Sequence, residues 1–291
     1  MNLNRREFVL ASAAAASVSA AEYKPRLAAQ TFIWMQQLRQ QKRTPAEGVA
    51  DVIGGTLAAG FENAELMSAF LTPELRPRTL ELLRSRGLAI PIVYHGGPMH
   101  TAEGAEKTIA EAVELVDALR GAGVELLNFN PSPKPGKALK SDAELATQAQ
   151  AINRLAAEVE KRGIPLVLHH HDAEMLENAR EWRHLLENTA VPLCIDTMWA
   201  ARGGQDPMAI LRQTGRRLGS LHVRNTKNGV CTEAFGDGDI DHRKVAAHLR
   251  EISYRGWIVV ELFHEPQTQA TRPLEANLRL SREYAEKVFG L

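Results

Sequence analysis

From residue 26 onward, short runs of apolar and β-branched residues alternate with longer amphipathic stretches, which is the pattern of successive strand–helix units. The apolar runs predict eight strands, at residues 27–33, 63–67, 89–94, 126–129, 165–169, 192–196, 218–222 and 257–261. Helix start signals lie between them, because Thr44 and Thr72 each precede a proline, and Thr101 and Ser141 each precede a turn with acidic residues. Eight such units without a composition break predict one α/β domain, a (β/α)8 barrel over residues 26–291. A doubly wound open sheet is the alternative, but no Gly-x-Gly-x-x-Gly turn follows the first strand.

The first 21 residues have a different character. Arg5 and Arg6 precede Phe8, and an apolar run rich in alanine, serine and valine then ends at Ala20 and Ala21. A charged start, an apolar middle and a small-residue end predict a signal peptide, and the arginine pair makes it similar to a twin-arginine signal. We therefore expect residues 1–21 to direct export to the periplasm; an alanine-rich N-terminal helix is the alternative.

Charge and cysteine content narrow the class of protein. The 35 basic and 35 acidic residues cancel to a formal charge of +0, which argues against a nucleic-acid partner. No run of 18 or more apolar residues predicts a membrane span, so no stable membrane anchoring is expected. Cys194 and Cys231 form no Cys-x-x-Cys pair, so two free thiols are favoured over a single disulfide. The oligomeric state stays open, a homo-oligomer included.

Four consecutive predicted strands end in a side chain that can bind a metal ion. These are His169, Asp196, His222 and Glu261, on strands five to eight. In a (β/α)8 barrel the strand ends meet at one rim, where the active site forms. A single such residue is usually a loop residue that satisfies backbone groups, but four on adjacent strands predict a metal site. A mixed imidazole and carboxylate set suits Mn²⁺, Zn²⁺ or Co²⁺.

Other residues near the predicted strand ends are candidates for catalysis or substrate binding. Glu65 ends strand two as a carboxylate between apolar residues and needs a partner there. His171 follows His169 by two positions and is a second catalytic candidate. The candidate substrate contacts are His95, Asn128, Trp34, Trp199, Arg224, Lys227 and Glu174.

These motifs, in this order, resemble the xylose isomerase-like TIM-barrel superfamily, and within it the sugar phosphate isomerase/epimerase family. The resemblance rests on Gly60-Phe61 before Glu65, His169-His170-His171, Asp196 with Asp206-Pro207, Leu221-His222-Val223-Arg224, Phe235-Gly236-Asp237-Gly238-Asp239-Ile240-Asp241 and Val259-Val260-Glu261. It implies a small carbohydrate substrate and one divalent ion (Mn, Zn, Co or Mg) held by one ligand from each of strands five to eight.

The resemblance also marks a departure at strand five. In the better-known epimerases of this group, glutamates on strands five and eight bind the metal and move the proton. Glu261 matches the second glutamate, whereas the first falls on His169, with His171 or Glu174 as alternative ligands. If His169 binds the ion, Glu65, Glu174, His95 or His171 must supply the second acid–base group.

The main hypothesis is therefore a divalent-metal-dependent sugar isomerase or epimerase that abstracts a proton next to a carbonyl. The alternative is a lyase or dehydratase of a keto-sugar or keto-glycoside on the same fold. A sugar-binding protein with a decayed site is a third hypothesis. An apurinic endonuclease of this fold is disfavoured by the neutral charge.

Overall fold

The computed structural model describes residues 22–291. The predicted signal peptide at residues 1–21 lies outside the described residues and stays a prediction. Within the described part of the chain, no helix combines the length and the apolarity that a membrane crossing requires.

Eight parallel strands close into a barrel in the order β1-β2-β3-β4-β5-β6-β7-β10, which confirms the predicted (β/α)8 fold. The barrel strands are β1 (Arg26–Gln30), β2 (Asn63–Met67), β3 (Ala89–Gly97), β4 (Leu126–Pro131), β5 (Leu166–Leu168), β6 (Leu193–Asp196), β7 (Leu218–Val223) and β10 (Trp257–Val260). A small antiparallel hairpin, β8 (Thr226–Lys227) and β9 (Val230–Cys231), follows β7.

Helices connect the strands around the outside of the barrel. They are α1 (Phe32–Gln40), α2 (Pro45–Ala58), α3 (Arg76–Arg86), α4 (Ala102–Ala118), α5 (Asp142–Glu160), α6 (Asp172–Asn188), α7 (Thr197–Arg202), α8 (Pro207–Thr214), α9 (His242–Glu251) and α10 (Leu274–Phe289). Short 3₁₀ helices span Ser68–Phe70, Pro135–Lys137 and Gly215–Arg217. Helix α6 is interrupted at residues 176–179, where three residues have positive φ.

The predicted helix starts are confirmed at three of four positions, and one of them is Thr101, whose side chain accepts from the backbone N–H of Gly104 at the start of α4. Thr44 and Ser141 each cap a helix and exchange hydrogen bonds with a glutamate three residues on, as in a capping box. Thr72 caps no helix through its side chain; its carbonyl oxygen instead accepts from the backbone N–H of Leu75 and Arg76, and α3 begins at Arg76. The first strand is also shorter than predicted, because the chain turns into α1 at Phe32.

The apolar core has two parts. The larger lies between the outer face of the barrel and the helices. The smaller fills the barrel interior with residues that stand early in their strands: Ala28, Ile92, Leu126, Val167, Cys194, Trp257 and Val259. Side chains alternate in direction along a strand, so residues two positions further on point into the same interior, nearer to the C-terminal rim. On most of these strands the next inward residue is polar, and this change marks the floor of the candidate site.

Candidate metal centre and active site

Strand alternation explains why β5 carries a His-x-His sequence. Val167 belongs to the apolar interior, so His169 and His171 face the same interior at successively higher levels. The middle residue, His170, faces the other way and packs edge-on against Trp182 of α6, with ring centroids 4.9 Å apart. The three consecutive histidines therefore have three different environments.

The four predicted metal-binding residues come together in the structure. One ligand atom from each of His169, Asp196, His222 and Glu261 lies within 4.8 Å of the others. We call these residues the quartet. All four are buried. His169 Nε2 is 3.9 Å from Asp196 Oδ2, and His222 Nδ1 is 2.6 Å from Glu261 Oε2.

The quartet fits a divalent ion. Neither ring nitrogen of His169 has a hydrogen-bond partner among residues 22–291, although the side chain is buried. Buried polar atoms without a partner are rare and costly, so these nitrogens are suited to bind a metal ion. Burial and the neighbouring histidines also hold the pKa of His169 well below its usual range, which keeps a lone pair available. Two imidazoles and two carboxylates form a donor set typical of Mn²⁺, Zn²⁺ or Co²⁺.

Glu65 lies on the far side of His222 from Glu261. Its Oε2 is 2.9 Å from His222 Nε2, and Asn128 Nδ2 donates to both Glu65 oxygens, at 3.3 and 3.2 Å. A metal-binding histidine commonly donates its second ring N–H to a carboxylate, which fixes the ring and its tautomer. The geometry therefore assigns Glu65 to positioning His222, whereas the sequence suggested direct catalysis. Asn128 holds the Glu65 carboxylate in this position through its two hydrogen bonds.

The charges around His222 support this arrangement. Burial alone would lower the pKa of His222, but Cys194, Glu65 and Glu261 around it raise that pKa well above its usual range. If Nε2 donates its proton to Glu65, Nδ1 would be the ring nitrogen available to hold an ion.

Arg224 reaches into the quartet from β7. Its Nη2 donates to Asp196 Oδ2 at 2.8 Å, and its Nη1 lies 3.2 Å from Glu261 Oε1. The guanidinium also lies over the ring of Trp199, 4.7 Å from the centroid. Although burial opposes ionisation of Glu261, Arg224 and His222 lower its pKa to about 2. Burial dominates at Asp196 and raises its pKa to about 6.

A buried hydrogen-bond chain fixes the protonation of His171. Asn130 Nδ2 donates to the backbone oxygen of His169 at 3.1 Å, so Asn130 Oδ1 is left as an acceptor. That oxygen lies 3.0 Å from His171 Nδ1, which must therefore carry the proton. Burial lowers the pKa of His171 to about 4, so the ring is neutral at pH 7. Its Nε2 is left with a free lone pair and can act as a base.

His170 supports the quartet from outside the barrel and was not singled out by the sequence. Its Nε2 accepts from the backbone N–H of Asp196 at 3.1 Å, and its Nδ1 lies 3.3 Å from the oxygen of His171. Burial lowers its pKa to about 3, which keeps Nε2 free to accept. The sequence could have indicated this role, because the alternation that turns His169 and His171 inward turns His170 outward.

A cavity of about 370 Å³ opens above the quartet. Its wall includes the aromatic side chains Phe32, Tyr94, Trp199 and Phe263 and the polar side chains Gln30, Asn130, His171 and Glu261. Of these, Trp199, His171 and Glu261 were predicted site residues. Tyr94, Gln30, Phe32 and Phe263 were missed, although the inward parity of β3 and β10 could have identified Tyr94 and Phe263.

Four predicted substrate contacts are placed elsewhere. His95 points to the outside of β3, where its Nδ1 is 3.1 Å from Ser68 Oγ. Trp34 lies in α1 and packs on Gly55, where an added Cβ would come within 2.2 Å of the indole ring. Lys227 is exposed on the β8–β9 hairpin. Glu174 is buried in the first turn of α6, where it accepts from the backbone N–H of His171. None of the four lines the cavity, and neither do the predicted contacts Asn128 and Arg224, so these positions do not support the predicted contacts.

The fold and the strand-end cluster define an enzyme of the xylose isomerase-like TIM barrel family, and the chain belongs to this family, whose model matches residues 56–286. It is similar to the inosose dehydratase of Klebsiella pneumoniae, which is 27% identical over 275 residues that cover 82% of this chain and 90% of that protein.

Two solved structures share the fold. That of an L-ribulose 3-epimerase has a TM-score of 0.73 at 16% identity and covers 91% of this chain and 95% of its own. A xylose isomerase-like TIM barrel protein from Mycobacterium smegmatis, in complex with magnesium, has a TM-score of 0.64 at 17% identity and covers 84% and 89%.

Proposed function

We propose that this chain is a divalent-metal-dependent enzyme that removes a proton next to a carbonyl of a small carbohydrate, as a sugar isomerase or epimerase does. The observation that carries the proposal is the position of a neutral, hydrogen-bonded imidazole, His171, beside the four-residue ligand cluster: its ring centroid is 4.9 Å from that of His169, and it lines the cavity together with Glu261. Proton abstraction next to a carbonyl requires a base near the carbon and an electrophile near the oxygen. The cavity offers a place for both.

Each group has a distinct part in this proposal. The quartet would hold the ion, which polarises the substrate oxygen as a Lewis acid. His171 accepts the proton at Nε2, because its Nδ1 is already committed to Asn130. Glu261 is the second acid–base group, since it lines the cavity and is ionised. Arg224 balances the charge of the two quartet carboxylates.

The shape of the cavity favours a small, ring-shaped substrate. Aromatic faces bind the apolar faces of sugar rings, and Phe32, Trp199 and Phe263 form a continuous wall with centroid distances of 6.1 and 5.7 Å. The polar groups opposite them can hydrogen-bond hydroxyl groups. A sugar epimerase among the structural neighbours and an inosose dehydratase among the relatives agree with a small carbohydrate.

Dehydration is the second candidate, and the histidine at position 169 favours it. A quartet with His169 in place of a carboxylate has only Glu261 as a carboxylate that also lines the cavity. An elimination needs a base for the proton and an acid for the departing hydroxyl. One histidine can serve both steps, because the imidazolium that it becomes is itself an acid. Inosose dehydratases of several bacteria are among the relatives.

The experiment is a substrate screen in deuterium oxide. Protein stripped of metal is reloaded with Mn²⁺, Co²⁺, Zn²⁺ or Mg²⁺ and incubated with ketoses, keto-glycosides and inososes. We expect metal-dependent incorporation of solvent deuterium at the carbon next to the carbonyl. An epimerase product keeps the substrate formula apart from that deuterium, whereas a dehydratase product has lost water. Lack of exchange across the panel by the metal-bound protein would refute both candidates.

Two histidine variants test whether His171 is the base that accepts the proton. His171→Gln should lower the rate of deuterium exchange by about 10²–10⁴-fold, which is the usual contribution of a general base. Its metal affinity should be unchanged, because His171 is outside the quartet. His248→Gln on α9 is the matched control, since this histidine lies outside the cavity and near Glu251. An active His171→Gln enzyme would exclude His171 as the base.

A further inference from the structure

A thiol lies directly beneath the quartet. Cys194 precedes Asp196 by two residues on β6, so both side chains face the barrel interior, with the thiol one level deeper. Cys194 is fully buried, and its Sγ is 3.6 Å from Asn128 Nδ2. That same Nδ2 is 3.0 Å from His222 Nε2, so one amide group contacts both the thiol and the His222 ring.

This thiol completes a second set of ligand atoms. One ligand atom each from His169, Cys194 and His222 lies within 4.8 Å of the other two. The set shares both histidines with the quartet but replaces its two carboxylates by one sulfur. Zn–N bonds are about 2.0 Å and Zn–S bonds about 2.3 Å long, so ligand atoms that lie up to 4.8 Å apart must move closer together to bind such an ion.

His169 is the independent sign that an ion can be bound at this level. Its two ring nitrogens are buried and have no hydrogen-bond partner in the described range 22–291. The quartet needs only one of them. His169 offers a ligand atom to both sets, and its ring lies 4.6 Å, centroid to centroid, from that of His222.

We propose that the barrel interior contains a deeper ion position, formed by His169, Cys194 and His222, that binds thiophilic ions such as Co²⁺, Zn²⁺ and Cd²⁺. Hard ions such as Mg²⁺ and Mn²⁺ stay with the carboxylates of the quartet, because thiolate ligands select softer metals. When the sulfur–metal bond forms, the thiol proton leaves to solvent and no electron is transferred. The two positions share the side chains of both histidines.

Cobalt loading tests this proposal directly. Metal-free protein is titrated with Co²⁺ under reducing conditions, and absorbance is followed in the near ultraviolet, where thiolate-to-cobalt charge transfer appears. We expect a charge-transfer band that saturates at one ion per chain in the wild-type protein. The band should be lost in Cys194→Ser. It should remain in Cys231→Ser, the matched control, because that buried thiol lies on the β8–β9 hairpin near Arg202.

Three outcomes would overturn the proposal. They are a cobalt-loaded wild type without the band, a Cys194→Ser protein that keeps it, and a Cys231→Ser protein that loses it. If Cys194→Ser does not fold, the ¹¹³Cd resonance of the cadmium-loaded wild type decides the question, since a purely nitrogen and oxygen shift excludes the thiolate. If the protein binds Mn²⁺ but its cobalt-loaded form lacks the charge-transfer band, this inference alone is overturned, whereas the absence of all ion binding removes the ion from the proposed function as well.

Discussion

Replacing Glu65 by glutamine changes the carboxylate that contacts Nε2 of the quartet residue His222. Glu65 accepts from His222 Nε2 at 2.9 Å and from Asn128 Nδ2 at 3.2 and 3.3 Å. Glutamine has the same shape but only one acceptor oxygen. If that oxygen keeps the bond to His222, the amide –NH₂ faces the –NH₂ of Asn128, and two donors oppose each other.

The expected cost is a loss of metal affinity. Changing the carboxylate that orients a metal-binding histidine lowers metal affinity by about 10- to 100-fold. One decade of affinity corresponds to about 1.4 kcal/mol, so the metal-bound state should lose about 1.4–2.7 kcal/mol. The reason is that Nε2 no longer faces a negative charge, so the ring is a weaker donor at Nδ1.

The assay is calorimetric titration of metal-free protein with Mn²⁺, alongside deuterium exchange on any active substrate from the screen. Glu62→Gln is the matched control, because Glu62 precedes the same strand but is exposed. Its metal affinity should equal that of the wild type. Circular dichroism of both variants confirms that the barrel is intact.

Two results would contradict the positioning role of Glu65. One is a Glu65→Gln protein with wild-type metal affinity and wild-type exchange. The other is unchanged metal affinity with a collapse of deuterium exchange at saturating metal. The second result would show that Glu65 acts on the substrate, as the sequence suggested.

Three further outcomes are expected. Burial lowers the pKa of His242 to about 4, from about 6.5 in the unfolded chain, so the folded state is favoured while this histidine is neutral, above pH 6.5. As the pH falls from 6.5 to 4, the free energy of unfolding should decrease by about 3 kcal/mol. Urea denaturation of His242→Gln should lack this part of the pH dependence. Gly55→Ala should lower the free energy of unfolding by about 1–3 kcal/mol in the same assay, because the added Cβ would lie 2.2 Å from the tryptophan ring of α1. Gly54→Ala is the control and should be tolerated, because its Cβ would meet only the end of a flexible arginine side chain. We also propose that the first 21 residues direct export. In a host with a twin-arginine pathway, cell fractionation should find the wild-type protein in the periplasm without residues 1–21. A variant with Arg5 and Arg6 changed to lysine should stay in the cytoplasm.

The quartet was predictable because it depends on two regular features of the fold. Parallel strands of a barrel end at one rim, and inward side chains recur at every second residue. Each of the four lies within one residue of the end of its strand, so their approximate convergence follows from the strand pattern alone: His169, Asp196, His222 and Glu261.

Errors arose where the length of an element decides the direction of a side chain. The sequence ended the third strand at Tyr94, so His95 was placed at the mouth of the site. In the structure β3 continues to Gly97, and the alternation turns Tyr94 inward and His95 outward. Trp34 fails for a related reason, because helix α1 begins at Phe32 and helical periodicity turns the indole towards α2. Apolar runs locate elements well but fix their ends less tightly.

Arg224 shows what the sequence does not contain. Its inward direction follows from its parity with His222, but its partners lie on two other strands and depend on how far the side chain extends. The structure shows that it contacts both carboxylates of the quartet, at 2.8 and 3.2 Å. A guanidinium cannot lose its charge at neutral pH, so an ion in the quartet must share Asp196 and Glu261 with a fixed positive group. The affinity of the centre for metal therefore depends on a residue that binds no metal, and only the packing of three strands reveals it.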